Sequence, residues 1–218
     1  MRLGIIGGTF DPIHMGHLRI AEKIFKELEL EKVYFIPGAL PPHKNREPIT
    51  PFNDRLAMTR MAIQDLSSLE ALDLEGRRQG LSYSIETLRE IRRLFQPEPE
   101  LFFIIGIDAF LEIKTWKEYK RLFDYTNFVI INRPGFPPEE LEPFVLSLEL
   151  GFQREGDNRF VIPSGNILIH HDATLMDISS TRIRELMAAG QSIRFLVPES
   201  VRSYILKKGL YSIYGDTQ

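Results

Sequence analysis

The sequence predicts an α/β protein: a mostly parallel sheet with helices on both faces. Three observations carry this. Short runs, apolar at successive positions, end at Gly, Pro or Asp, as strands buried on both sides do. Between them, apolar residues recur at three- and four-residue steps. The runs and the helical patterns alternate along the chain, which is the order of a parallel sheet with crossover helices.

The expected strands are LGIIG (3–7), KVYFIP (32–37), ALDL (71–74), LFFIIG (101–106), NFVIIN (127–132) and NILIH (166–170). Leu18, Ala21, Phe25 and Leu28 mark the first helix. Phe52 to about Asp65 is a second, and Ile85, Leu88, Arg92 and Phe95 place a third. Ser180 to Ala189 and Pro198 to about Lys207 complete the set, with Pro198 in a first turn, where a missing N–H costs nothing. Gly190 and Gly209 read as helix stops. The stretch 38–51, GALPPHKNREPITP, is a Pro-rich loop with a basic cluster and the character of a lid. Residues 134–166 read as a surface excursion with one helix and a hairpin, inside a single domain spanning 1–218.

Composition narrows the class. The chain has 218 residues, a net charge of -3 and no cysteine. That balance argues against a surface built to coat a nucleic acid polymer. It also excludes disulfides and thiolate chemistry. No run approaches the roughly 20 apolar residues of a membrane span, and the N-terminal run is too short for a secretory segment. A cytoplasmic protein is expected.

The first expected strand runs into GGTFDPIHMGHL (7–18). Gly7 and Gly8 let the backbone turn sharply and present bare N–H groups, and Thr9 adds a hydroxyl. The helix starting near Gly16 offers its positive end. His14 and His17, three apart, reach one side of its first turn. These groups together form an anion site. The spacing is neither G-x-G-x-x-G nor a Walker loop, and two histidines without a third ligand make a poor zinc set. HHDATLMD (170–177) is rejected as a metal site because neighbours in a strand point to opposite faces. In ISSTRIR (178–184) a second helix start follows the last strand, and Ser180 and Arg184 share one helical face. Gly106 and Asp108 follow the fourth strand, where a carboxylate suits ribose hydroxyls and also helix capping. Taken singly, each motif has an ordinary structural alternative: a turn, a cap, a solvated lysine, a core tryptophan.

GGTFDPIHMGH resembles the T/H-x-G-H signature of the nucleotidyltransferase superfamily, and in particular its nicotinate-nucleotide adenylyltransferases. PPHK (41–44), SYSIETL (82–88), FIIGIDAF (103–110) with Trp116, and ISSTRIR continue the likeness in order along nearly the whole chain. The resemblance implies a Rossmann-like fold of nucleotidyltransferase type. It also implies adenylyl transfer from ATP to nicotinate mononucleotide, giving deamido-NAD and pyrophosphate, with Mg²⁺ accompanying the triphosphate. Gly7, Gly8, Thr9, Phe10, His17, Gly106, Asp108, Ser180, Thr181 and Arg184 would bind ATP. His14, His17, Lys44 and Arg184 would supply charge during transfer, and phosphates nearby would raise the pKa of the histidines. Lys44, Thr87 and Trp116 would receive the acceptor, the indole stacking on a pyridinium ring. Where the family often has tyrosine after this tryptophan, the chain has Lys117.

The alternatives are an enzyme preferring nicotinamide mononucleotide, and a non-catalytic nucleotide sensor on the same fold. Pantetheine-phosphate enzymes share the histidine motif but lack the SYSIETL and Trp signals. Class I aminoacyl-tRNA synthetases would add K-M-S-K-S. Oligomeric state, a homo-oligomer included, is left open.

Overall fold

Strands that are apolar at every position need cover on both sides, and the computed structural model supplies it. It describes residues 1–40, 49–133, 135–171, 176 and 178–212. The first half runs β1 (Arg2–Gly8), α1 (Met15–Glu27), β2 (Lys32–Pro37), α2 (Phe52–Ile63), β3 (Leu69–Ala71), α3 (Leu74–Arg77) and α4 (Ser84–Leu94). Then come β4 (Glu100–Gly106), α5 (Ile107–Leu111), α6 (Tyr119–Tyr125), β5 (Asn127–Ile131) and α7 (Leu141–Leu146). The chain continues through β6 (Gln153–Arg154), β7 (Arg159–Val161), β8 (Ile167–His171), α8 (Ser180–Ala188) and α9 (Glu199–Lys208).

Among the described residues the sheet order is β3-β2-β1-β4-β5-β8-β7-β6. Pairing is parallel from β3 to β8, and β7 and β6 add an antiparallel edge. The order reverses between β1 and β4, and that switch point opens a crevice beyond the strands' carboxyl ends.

Alternation along the strands divides the core into two layers. Ile5, Phe103, Ile105, Phe128 and Ile130 face one side, with Ile85, Leu88 and Ile91 of α4 and Phe110 and Phe123 beyond them. Ile6, Phe102, Ile104, Val129 and Ile131 face the other, under Leu18, Ala21 and Ile24 of α1, Met58 of α2, Ile183 of α8 and Val201 and Ile205 of α9. Each buried aliphatic or aromatic side chain is worth about 1.5–3 kcal/mol relative to exposure. The two layers therefore hold the strand ends, and with them the site, on a rigid base.

Two sequence expectations shift. The sequence predicts a strand at ALDL, but β3 ends at Ala71 and Leu74 already opens α3. Leucines two apart serve a strand, and they serve equally the end of one element and the start of the next. Leu72 still donates its N–H to the Phe35 carbonyl, and Asp73, the residue before α3, pairs with Arg77. Pro198 precedes α9 as its cap residue instead of lying inside the first turn. Gly190 and Gly209 do end their helices, both left-handed at φ 67° and 66°. Within 135–166 the expected helix and hairpin are present. The hairpin extends the sheet, and its Phe160 is buried in the first core layer.

Candidate active site

Phe10 is the hinge of the site. Its backbone is left-handed at φ 49°, unusual for a residue with a side chain. That conformation takes the chain off β1 and drops the ring into the core, where it meets Phe35 and the edge of His17. A peptide cis at Asp11–Pro12 follows, and His14 caps α1. The backbone N–H of His14 donates to Nδ1 of His17 at 3.2 Å. This contact fixes the His17 tautomer: Nδ1 accepts, so the neutral ring carries its hydrogen on Nε2. The two imidazoles stack with centroids 3.6 Å apart.

The surroundings of both rings favour the neutral form. Burial, with Arg133 nearby, pulls His14 down from 6.5 to about 4. Burial, His14 and Arg133 hold His17 well below its ordinary value. The charged form expected from the sequence presupposes phosphate. Without an anion, loss of solvent and neighbouring positive charge govern, and His17 offers a neutral N–H.

The second helix start comes to the same place. Ser180 Oγ donates to the Pro12 carbonyl at 2.8 Å, and Arg184 Nη1 donates to the Asp11 carbonyl at 2.9 Å. Nη2 of Arg184 lies 3.4 Å from Thr181 Oγ1. The cap of α8 is Ser179, whose hydroxyl accepts from the N–H of Arg182, so Ser180 is available to tie the two helix starts together. A cavity of about 360 Å³ is lined by Gly7, Gly8, Thr9, Phe10, His14, His17, Gly106, Asp108, Ser180, Thr181 and Arg184. Every residue named from the sequence for ATP thus borders one space.

At Gly106 the close approach is literal: a Cβ there would stand 2.3 Å from Asp108 Oδ1 and 2.7 Å from Arg133 Nε. Asp108 pairs with Arg133 at 3.3 Å. Arg133 lines the cavity and was missed from the sequence, although it follows β5 and the strand-end rule pointed to it.

A second cavity of about 410 Å³ lies across the same turn and shares Gly7, Gly8, Thr9, Ile105 and Ala109 with the first. Trp116, Tyr83, Lys117, Ser82 and Glu75 line it. Trp116 packs edge-on against Phe103, which sets the angle of its face. Lys117 Nζ sits 4.5 Å from the Tyr83 ring centre and 2.5 Å from Glu86 Oε1.

Thr87 is not on that wall. It is 3% exposed; its hydroxyl donates to Glu75 Oε1 at 2.7 Å and accepts from Arg78. Thr87 therefore stands behind Glu75, which reaches the cavity in its place. Lys44 falls outside the described residues. His170 and His171 turn to different partners, Asn132 and Glu27. Among the described residues no three His, Asp or Glu side chains gather into a metal set, and no helix is long and apolar enough to cross a membrane.

The sequence reading also missed Arg55. It is 1% exposed and donates to the carbonyls of Thr50, Thr9 and Ala39 at 2.8, 2.6 and 3.4 Å. The available signal was its spacing, since Arg55, Thr59 and Ile63 lie on one buried stripe of α2.

Residues 5–186 match the cytidylyltransferase-like family. A probable nicotinate-nucleotide adenylyltransferase of Syntrophotalea carbinolica is 45% identical over 214 residues, covering 97% of each chain. The chain belongs to the nicotinate-nucleotide adenylyltransferase family. A second relative in it, from Desulfatibacillum aliphaticivorans, is 44% identical over 97% of this chain and its own full length. The nicotinic acid mononucleotide adenylyltransferase of Plasmodium falciparum, solved in complex with NaAD, superposes with a TM-score of 0.75. At 21% identity, over 96% of this chain and 97% of that one, it supports the fold of the adenylyltransferase family.

Proposed function

We propose that the protein transfers the adenylyl group of ATP to nicotinate mononucleotide, a step of NAD biosynthesis. A phosphate oxygen of the acceptor attacks the α-phosphorus. The bond to the β-phosphate breaks, and pyrophosphate leaves with the electron pair. The observation that carries this reading is the pair of cavities meeting at Gly7-Gly8-Thr9. ATP in one and a mononucleotide in the other would bring two phosphates together over that turn.

The attacking oxygen is already ionised near neutral pH, so the work left to the protein is alignment and charge stabilisation. His17 would donate its Nε2 hydrogen to the α-phosphate. Arg184, Ser180 and Thr181, at a helix start, would take the β- and γ-phosphates. Asp108 would hold the ribose. Lys44 enters on the family resemblance alone, as a further cation for the phosphates. Mg²⁺ arrives as MgATP, bound by phosphate oxygens and water as is usual for this ion.

In the acceptor cavity Trp116 offers a flat face to the pyridinium ring. Lys117 favours the acid over the amide, since its ammonium can pair with a carboxylate and gains nothing comparable from a neutral amide. The negative charge of Glu75 on the same wall is met by Thr87 and Arg78. We further read 1–218 as one domain, because a single sheet runs through the described strands.

Pyrophosphate release, measured with ATP, Mg²⁺ and each mononucleotide in turn, tests the reading. Fast release with the acid and much slower release with the amide are expected. No release with either refutes the enzyme. Retained nucleotide without turnover would favour a sensor.

A further inference from the structure

The turn between β1 and α1 owes its shape to side chains brought from far away. The carbonyls of Thr9, Asp11 and Pro12 are taken by Arg55, Arg184 and Ser180. The carboxylate of Asp11, only 4% exposed, accepts the backbone N–H of Thr50 at 3.2 Å and the hydroxyl of Tyr211 at 2.6 Å. Tyr211 reaches it from 200 residues away.

The tail is bent to make this contact. Helix α9 ends at Gly209, left-handed at φ 66°, and the N–H of Leu210 returns to the Ile205 carbonyl. Tyr211 is itself left-handed at φ 64°. A tyrosine is seldom found there, and such strain persists only where surrounding contacts hold it. The contact on offer is the buried carboxylate.

We propose that Tyr211 is a positioning residue of the nucleotide site, holding the Asp11 carboxylate so that the turn presents Arg184, His14 and His17 to the phosphates. Asp11 borders the nucleotide cavity, and its carbonyl is the partner of Arg184. A shift of the turn when the carboxylate is released therefore moves the carbonyl that holds Arg184. Burial and the neighbouring carboxylate push the Tyr211 hydroxyl far above its ordinary range, so it stays a donor throughout the working pH range. The inference rests on reading that cavity as the ATP site.

The test is Tyr211→Phe in the full chain, which keeps the ring and removes only the hydroxyl. A hydrogen bond to a charged group is lost, so affinity for a non-hydrolysable ATP analogue, measured by calorimetry, is expected to fall about tenfold or more. KM for ATP should rise in step while KM for the mononucleotide stays within twofold. In an Asp11→Asn background the acceptor is neutral, and the same substitution should cost about threefold or less. Unchanged nucleotide affinity overturns the proposal, even if the melting temperature drops. Equal losses in both backgrounds overturn the link through Asp11. Wild-type protein that binds the analogue but releases no pyrophosphate refutes the enzyme reading alone, and the calorimetry still decides on Tyr211.

Discussion

Lowering the pH from 7 to 4 should destabilise this protein through His14 in particular. The folded-state pKa is about 4, against an ordinary 6.5 that the unfolded chain regains. Between those values the unfolded chain binds a proton that the folded chain refuses. The His14 contribution is therefore complete above pH 6.5 and is lost as the pH falls toward 4, with no further loss below. A difference of about 2.5 units at 1.36 kcal/mol each amounts to about 3 kcal/mol. His17 is shifted in the same direction and adds to the slope. Urea unfolding of wild type and His14→Asn, at half-unit pH steps, isolates the His14 part. Asparagine is a good helix cap, so the variant keeps α1 started while removing the titration. The gap between the two stability curves should close by about 3 kcal/mol across that window. Parallel curves would mean that His14 is solvated and would overturn the account of a neutral site. The same reasoning makes nucleotide binding at pH 6 a proton-uptake reaction, because phosphate favours the imidazolium that burial disfavours.

Further outcomes follow from the same geometry. His17→Ala should lower kcat by about 10²–10³-fold with KM for ATP changed little, as loss of one transition-state donor does; an unchanged kcat removes His17 from the mechanism. Gly106→Ala drives a methyl into Asp108 and Arg133, both side-chain ends that can swing aside. Melting should therefore shift little while KM for ATP rises about tenfold, and a loss of stability without a change in KM would contradict this. Thr87→Val should cost about 1–3 kcal/mol of stability and weaken the mononucleotide but not ATP. Weaker mononucleotide binding at full stability would put Thr87 back in direct contact with ligand.

Most of the sheet could be read because β1, β2, β4, β5 and β8 are long enough to show uninterrupted apolar runs. The three-residue β3 and the two-residue β6 are too short for any period to appear. Helices α5 and α6 escaped for a related reason: five and seven residues hold at most two turns, and their faces are set by the strands they lie on. The site was legible where the strand-end rule applies, at Gly7, Gly8, Gly106 and Asp108, and at the helix start carrying Arg184. Arg55, Tyr211 and Glu75 were not. Their partners lie 46, 200 and 12 residues away, and only packing brings them together. Thr87 adds a contact of the same kind: its motif suggests a place at the acceptor, and the fold sets its buried hydroxyl on Glu75, which lines the cavity.

Among the described residues, the arginines and lysine lining the two cavities each have a partner. Arg184 holds the Asp11 carbonyl, Arg133 faces Asp108, Lys117 faces Glu86, and burial disfavours the charged form of both imidazoles. A pocket meant for a triphosphate could instead have kept bare positive charges, but these would repel one another in the unliganded state and destabilise the turn that carries them. Parking each cation on a partner avoids that cost and leaves exposed groups that an incoming anion can displace. The pairs of Arg133 and Lys117 are half-exposed, so each is worth little in water and is easily exchanged. Arg55 differs. Fully buried on three carbonyls, it has no such freedom and serves the shape of the turn rather than the charge of the site. Exchangeable charge and structural order thus fall to different basic residues, separated by how deeply each guanidinium or ammonium lies.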